Sequence, residues 1–354
     1  MAYWKDQPMN ISENNDIKII TTDILREKKE ILPDGFKFKT LNMAYLDEIH
    51  SLLNNHYVED DSHIVRLMYS KDFIYWYLKK VPPGLLVGLV YKNKLVGMIT
   101  AIFIDLVISG KTMNLPYINF LCVQSKIRNY GLAIYLTDEI KYRLAKNNFF
   151  CLVFTSMKTL YKSFSKTKDF IIPINHAKLK SIGFLTEDLP PYPEILLNPL
   201  QKMSVDDIKY IAPKLNKFMK KYEIAIDFTQ NTVENFLLPK KNIVYSYVIK
   251  NSSGEITDFV SVYKHYLYCV EKKAIVSVAQ LAFYYYDSIT LTELITFLID
   301  KLADYNFDQL VFRDFMDNST INITRFGSHA ELNYYFYNFS MKKTEPNKLC
   351  FYPF

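Results

Sequence analysis

One series of elements occurs twice in this chain, and that repeat limits the architecture more than any other feature. Residues 87–107 read as a hairpin, with strands Gly88–Tyr91 and Leu95–Leu106 joined at Lys92-Asn93-Lys94. A strand Tyr117–Val123, an amphipathic helix Leu132–Lys146 and a strand Phe150–Thr155 follow. In the second half, Ile243–Ile249 and Ile256–Tyr263 flank the turn Asn251-Ser252-Ser253-Gly254. A strand Ala274–Tyr285, a helix Leu291–Tyr305 and a strand Gln309–Phe312 complete the copy. Leu152-Val153-Phe154 returns as Leu310-Val311-Phe312, 158 residues on. Two strand–strand–strand–helix–strand units predict an α/β (α+β) fold: one continuous, mostly antiparallel twisted sheet with pseudo-twofold symmetry and flanking helices.

The prolines of Asp188-Leu189-Pro190-Pro191-Tyr192-Pro193 bar regular structure, which predicts halves at 1–190 and 191–354. Helices are expected over Met43–Asn55, with Leu46, Ile49, Leu52 and Leu53 on one face, and over Lys71–Leu78 and Val205–Tyr222. Residues 158–176, rich in Lys, Ser and Thr, read as loop. At 354 residues and 49% hydrophobic, the chain can bury a large core. The net charge of +6 is dispersed, with no basic block, which argues against nucleic-acid binding. Cys122, Cys151, Cys269 and Cys350 are widely spaced within apolar segments, the pattern of reduced core thiols in a cytoplasmic protein. Neither they nor the histidines have metal-ligand spacing, so no metal is expected. The first eight residues lack the apolar core of a signal peptide. No run reaches the ~18 apolar residues that a membrane span needs, so no transmembrane segment is expected.

The chemistry concentrates at Ile118-Asn119-Phe120-Leu121-Cys122-Val123 and the basic loop behind it. That loop opens a helix whose first turn is small or apolar, and the outward N–H groups of such a turn suit a diphosphate. Arg128-x-x-Gly131-x-Ala133 resembles the pyrophosphate loop of the GNAT acyltransferases, and Asn-Phe-Leu-Cys-Val resembles the acyl-CoA strand of N-myristoyltransferases. The second likeness extends along almost the whole chain, in order. Tyr3-Trp4-x-x-Gln7-Pro8, Leu32-Pro33-x-Gly35-Phe36, Tyr57-Val58-Glu59-Asp60-Asp61 and Lys94-Leu95-Val96-Gly97 match in the first half. Gly254-Glu255-Ile256-Thr257-Asp258-Phe259-Val260-Ser261, Asp314-x-Met316-x-Asn318 and Tyr334-Tyr335-x-Tyr337-Asn338 match in the second.

The resemblance implies transfer of a myristoyl group from myristoyl-CoA, a substrate rather than a cofactor, to the N-terminal glycine amine of a protein. It assigns the backbone amides of Phe120 and Leu121 to the oxyanion and the α-carboxylate of Phe354 to proton removal, with Asn119 and Thr155 orienting the amine. It places acyl-CoA against Ala2, Tyr3, Trp4, Phe120, Leu121, Cys122 and Val123. Lys126, Arg128, Asn129, Gly131, Leu132 and Ala133 fall at the phosphates, and Tyr57, Asp60, Asp61, Val65, Leu67 and Leu281 on the acceptor side. The expected partners are myristoyl-CoA and glycine-initiated proteins, and the expected state is a monomer. The short N-terminal region implies a minimal unit of the kind a virus or compact genome encodes.

Several positions depart from the family pattern. Ser-Lys-Arg-Val-Ala is replaced by Asn129-Tyr130-Gly131-Leu132-Ala133, which loses two cations. On the acceptor side, Thr-Ala-Gly becomes Thr155-Ser156-Met157 and Tyr-Trp-His becomes Asp169-Phe170-Ile171. Gly-Asp-Gly becomes His329-Ala330-Glu331, and the acidic triplet ends in Ser62. These changes keep open two alternatives: an acyl-CoA transferase acting on another amine such as a lysine, and a silent acyl-CoA-binding or interaction protein.

Overall fold

The computed structural model describes residues 2–12, 18–21, 32–57 and 65–352. The chain forms two compact units, one of residues 1–61, 66–166 and 332–344, the other of residues 62–65, 167–331 and 345–354. The first runs through α1 (Ala2–Lys5), β1 (Met9–Ile11), β2 (Lys18–Ile19), β3 (Phe36–Thr40), α2 (Leu46–His56), β4 (Val65–Met68) and α3 (Lys71–Leu78). It continues with β5 (Leu86–Tyr91), β6 (Lys94–Ile108), β7 (Lys111–Val123), α4 (Leu132–Ala145) and β8 (Leu152–Ser156). The second unit holds β9 (Ser165–Pro173) from Thr167 on, α5 (His176–Ser181), β10 (Gln201–Lys202), α6 (Ile208–Met219), β11 (Ile224–Ile226) and α7 (Gln230–Leu237). Next come β12 (Val244–Lys250), β13 (Ile256–Cys269), β14 (Ala274–Tyr285), α8 (Leu291–Asp304) and β15 (Gln309–Arg313). The chain then enters β16 (Phe326–Tyr337) and β17 (Phe339–Met341), whose residues from Leu332 on belong to the first unit, and ends on β18 (Leu349–Cys350) in the second.

Within the first unit the strands order as β3-β5-β6-β7-β8-β16, and within the second as β10-β12-β13-β14-β15-β9. Each order has one parallel step, β7 with β8 and β14 with β15, across which α4 or α8 makes the crossover. The expected mixed α/β architecture and duplication are thus observed, down to Leu152–Phe154 in β8 and Leu310–Phe312 in β15. The last strand of each order is exchanged. β9 comes from the N-terminal half of the chain and completes the second unit, while β16 comes from the C-terminal half and completes the first.

Helix α4 packs its i, i+4 stripe of Leu132, Leu136, Ile140 and Leu144 on Val87, Leu89, Val96, Ile99 and Ala101. At about 2 kcal/mol per fully buried leucine, that face fixes the helix to the sheet. In the second unit, α8 buries Leu291, Leu294, Ile295, Leu298, Ile299 and Leu302 in the same way. The loop reading of residues 158–176 is corrected: β9 occupies much of it. Ser165 and Thr167 face inward while Lys166 and Lys168 face out, so the alternation is real but carried by polar residues on the buried side. The stretch Asp188–Pro193 contains neither helix nor strand. Among the described residues, no helix is long and apolar enough to cross a membrane.

Candidate active site

The central feature is a break in the register of β7 against β6. Met98 pairs with Cys122 and Thr100 with Asn119, so β7 carries one extra residue at Phe120–Leu121. Phe120 takes it up with φ +51°, a left-handed conformation that costs a non-glycine residue of order 1–3 kcal/mol. Its ring is 1% exposed and meets Tyr57, Tyr69 and Tyr77 edge to face, with centroids 5.5, 5.4 and 4.8 Å away. Edge-to-face pairs contribute about 0.5–1.5 kcal/mol each beyond burial, enough together to hold the strained backbone.

Polar groups surround this bulge. Asn119 Oδ1 accepts the Phe120 N–H at 2.8 Å and the Tyr57 hydroxyl at 3.2 Å, and Asn119 Nδ2 donates to the Tyr77 hydroxyl at 3.3 Å. Thr100 Oγ1 donates to the Asn119 carbonyl, and Tyr117 and Thr155 share a hydroxyl–hydroxyl bond of 3.1 Å. Burial pushes the phenols of Tyr57, Tyr77 and Tyr117 well up, so each stays a neutral, protonated hydroxyl. Cys122 lies behind the bulge, its Sγ 3.7 Å from the Leu52 carbonyl, and burial raises its thiol to about 12. That excludes it as a thiolate nucleophile at neutral pH. All four cysteines are buried and none is bridged.

Beyond Val123 the chain makes a 3₁₀ turn (Ser125–Tyr130) and reaches Gly131 at φ +70°, which starts α4. No side chain caps α4, and its first turn holds no acidic residue. The Leu132 side chain is buried in the core, while Ala133 is partly exposed. Lys126 and Asn129 are exposed, whereas Arg128 is occupied: Nε donates to the Val123 carbonyl at 3.1 Å and Nη2 to the His56 carbonyl. Arg128 therefore braces the loop as well as charging it.

The second unit repeats this arrangement and closes it. β14 also carries a bulge against β13, at Ala282, but no residue there has a positive φ. At the start of α8, Glu293 accepts from the Thr290 N–H and hydroxyl at 2.8 Å each, a complete capping box. Asp258 takes the Asp287 and Ser288 amides just before it. Carboxylates thus fill in one unit the place where α4 in the other offers uncapped amides.

Of the remaining residues picked out by sequence, Tyr3 and Trp4 lie on the first unit, Trp4 stacked on Phe154 at 5.4 Å. Ala2 is the first residue of α1. Val65 and Leu67 are half-buried in β4, and Leu281 is fully buried in β14. Asp60, Asp61 and Phe354 lie outside the described residues. The C-terminal segment packs inward as far as Tyr352: β18 pairs with β11, and the Tyr352 ring stacks on Tyr263 at 5.5 Å. Asp169 pairs with Arg313 at 3.6 Å in the second unit, and burial raises its carboxyl despite that cation. Sequence reading missed Thr100, Tyr77 and Tyr117. Only the alternation of β7, which puts Tyr117 and Asn119 on one face, could have signalled any of them.

Matches to known proteins cover both halves of the chain in order. Residues 16–167 match the model of the myristoyl-CoA:protein N-myristoyltransferase N-terminal domain, and residues 186–349 that of its C-terminal domain. A protein of Acanthamoeba polyphaga mimivirus named "Putative glycylpeptide N-tetradecanoyltransferase" is 49% identical over 97% of both chains. Glycylpeptide N-tetradecanoyltransferase 2 of Bos taurus is 30% identical over 98% of this chain and 75% of its own. Among solved structures, Saccharomyces cerevisiae N-myristoyltransferase with bound myristoyl-CoA superposes with a TM-score of 0.88 at 23% identity, covering 98% of this chain and 90% of the other, which shows the shared fold. With both halves matched in order and a relative nearly half identical along its length, the chain belongs to the N-myristoyltransferase family.

Proposed function

We propose that this chain transfers a myristoyl group from myristoyl-CoA to the N-terminal glycine amine of a protein. The observation that carries the reading is the difference between the two units. Only the first combines a left-handed bulge at Phe120 with an uncapped helix start behind Gly131. The diphosphate of CoA is taken by the α4 amides with Lys126, Arg128, Asn129 and Ala133 around it, and the thioester lies against residues 120–123. Attack by the amine puts negative charge on the thioester oxygen, which the Phe120 and Leu121 amides receive. Asn119 Oδ1, which accepts the Phe120 amide here, yields it to that oxygen and turns toward the amine together with Thr155.

A free α-amine has a pKa near 8 and arrives as an ammonium, so the α-carboxylate of Phe354 takes the proton. The C–N bond forms, the C–S bond breaks, and the leaving CoA thiolate takes the second proton of the nitrogen; an amide, a thiol and the proton held by the carboxylate account for every atom without a further cofactor. Buried, unbridged thiols support a reducing, cytoplasmic location, and both units in one chain support action as a monomer. Tyr57, Val65 and Leu67, with Asp60 and Asp61, receive the acceptor; Leu281 is fully buried and offers it no surface.

A glycine-initiated peptide incubated with the protein and myristoyl-CoA should gain one myristoyl group at its N-terminal nitrogen, read by fragment-ion mass spectrometry. Modification at lysine instead would establish the second reading, a different amine acceptor, which is motivated by the altered acceptor-side residues such as Asp169 and Met157. An unmodified peptide despite tight donor binding would establish a silent binding protein.

A further inference from the structure

The N-terminal segment of the first unit is fastened by a lysine that the reaction above does not use. Lys141 lies in α4 with its side chain 4% exposed, a degree of burial that lysine tolerates only with partners. Its Nζ reaches Asp138 Oδ1 at 2.5 Å, the Tyr3 hydroxyl at 2.8 Å and Gln7 Oε1 at 3.0 Å, three oxygens for three N–H donors. The rings of Tyr3 and Tyr337 lie 5.2 and 5.1 Å from it. The Tyr3 hydroxyl donates onward to Asp138, and Gln7 Nε2 donates to the Tyr3 carbonyl at 3.3 Å. Between these two residues, Trp4 stacks on Phe154, which stacks on Tyr335 at 5.0 Å. A short helix is thus tied to α4 by a buried charge network and to β8 by a ring. α4 is also the helix that begins at Gly131, about 15 Å away along its axis at 1.5 Å per residue.

We propose that Lys141 is a positioning residue for the acyl donor: it holds the Tyr3–Gln7 segment shut, and release of acyl-CoA waits on breaking its contacts. This rests on the reading above that Tyr3 and Trp4 cover the donor. The chain has two tryptophans, Trp4 and Trp76, so a Trp76→Phe background makes Trp4 the sole reporter of the segment. In that background Lys141→Met should shift Trp4 emission to the red and speed tryptic cleavage after the exposed Lys5. The off-rate of myristoyl-CoA, followed by displacement, should rise about tenfold, the worth of one charge-assisted hydrogen bond. Because Lys141→Met leaves Asp138 without its cation, the pair Asp138→Asn/Lys141→Met serves as a second variant with no orphaned charge and should show the same loosening. Wild-type emission and off-rate in both variants would overturn the proposal. So would a loosened segment with an unchanged off-rate, which leaves the donor reading intact. A wild-type protein that retains no myristoyl-CoA would remove that reading and the latch with it.

Discussion

Phe120 is a residue that favours strands, held in a backbone conformation that suits glycine. Two energies oppose each other there, ring burial among three tyrosines and left-handed strain. Phe120→Ala should cost about 3–4 kcal/mol, because it loses the ring and keeps the strain. Phe120→Gly loses the same ring and relieves the strain, so it should be the more stable of the two by about 1 kcal/mol, the reverse of the usual order within a strand. Urea unfolding of both variants checks this, and an alanine variant as stable as the glycine one would refute the account of the bulge. Sequence alone marks Phe120 and Leu121 only through family likeness, because the φ depends on Tyr57, Tyr69 and Tyr77, which reach it from distant positions. Lys141 is hidden for the same reason. Its oxygens on Tyr3 and Gln7 lie more than 130 residues away, and nothing local separates it from a solvated helix lysine.

At the scale of elements, α4 and α8 are two versions of one helix with opposite N-termini. Ile134 of α4 stands at the third helical position, where Glu293 stands in α8. Ile134→Glu should therefore place a carboxylate against the uncapped amides and raise the KM for myristoyl-CoA about tenfold. Unchanged donor kinetics would place the phosphates elsewhere. β13 carries a pH response of its own, since burial lowers the imidazole of His265 to about 4 from 6.5. The folded protein keeps this histidine neutral while the unfolded chain protonates it, so the stability is whole above pH 6.5 and lost as pH falls toward 4. At pH 5 the loss is about 2 kcal/mol, and His265→Gln should flatten the fall of the urea midpoint between pH 7.5 and 5. Most elements were legible because their apolar residues keep strict periods, as in Leu132–Leu136–Ile140–Leu144 and in the two Leu-Val-Phe strands. β9 was not, because Ser165 and Thr167 fill its inward positions and leave no hydrophobic alternation to read.

At the scale of the whole molecule, the repeat was readable but the exchange of closing strands was not, since no local pattern says which half a strand will complete. Truncation after Glu331 removes the part of β16 that pairs with β8, where Tyr334 and Tyr335 are fully buried. It should cost the first unit its cooperative thermal transition rather than a few degrees of Tm, as calorimetry would show; a truncated chain that melts as the full one does would contradict the pairing. The same connectivity sets a schedule for synthesis. A ribosome adds about 5–20 residues per second, and until it has passed the last Tyr-Tyr pair the first unit has an open flank. Its nascent β8 must wait, with its edge amides bare, until residues 167–331 of the second unit have been made. Cells that produce this protein must shield that flank for about ten seconds or more, and a trigger for misassembly lies there rather than in any weakness of the finished fold.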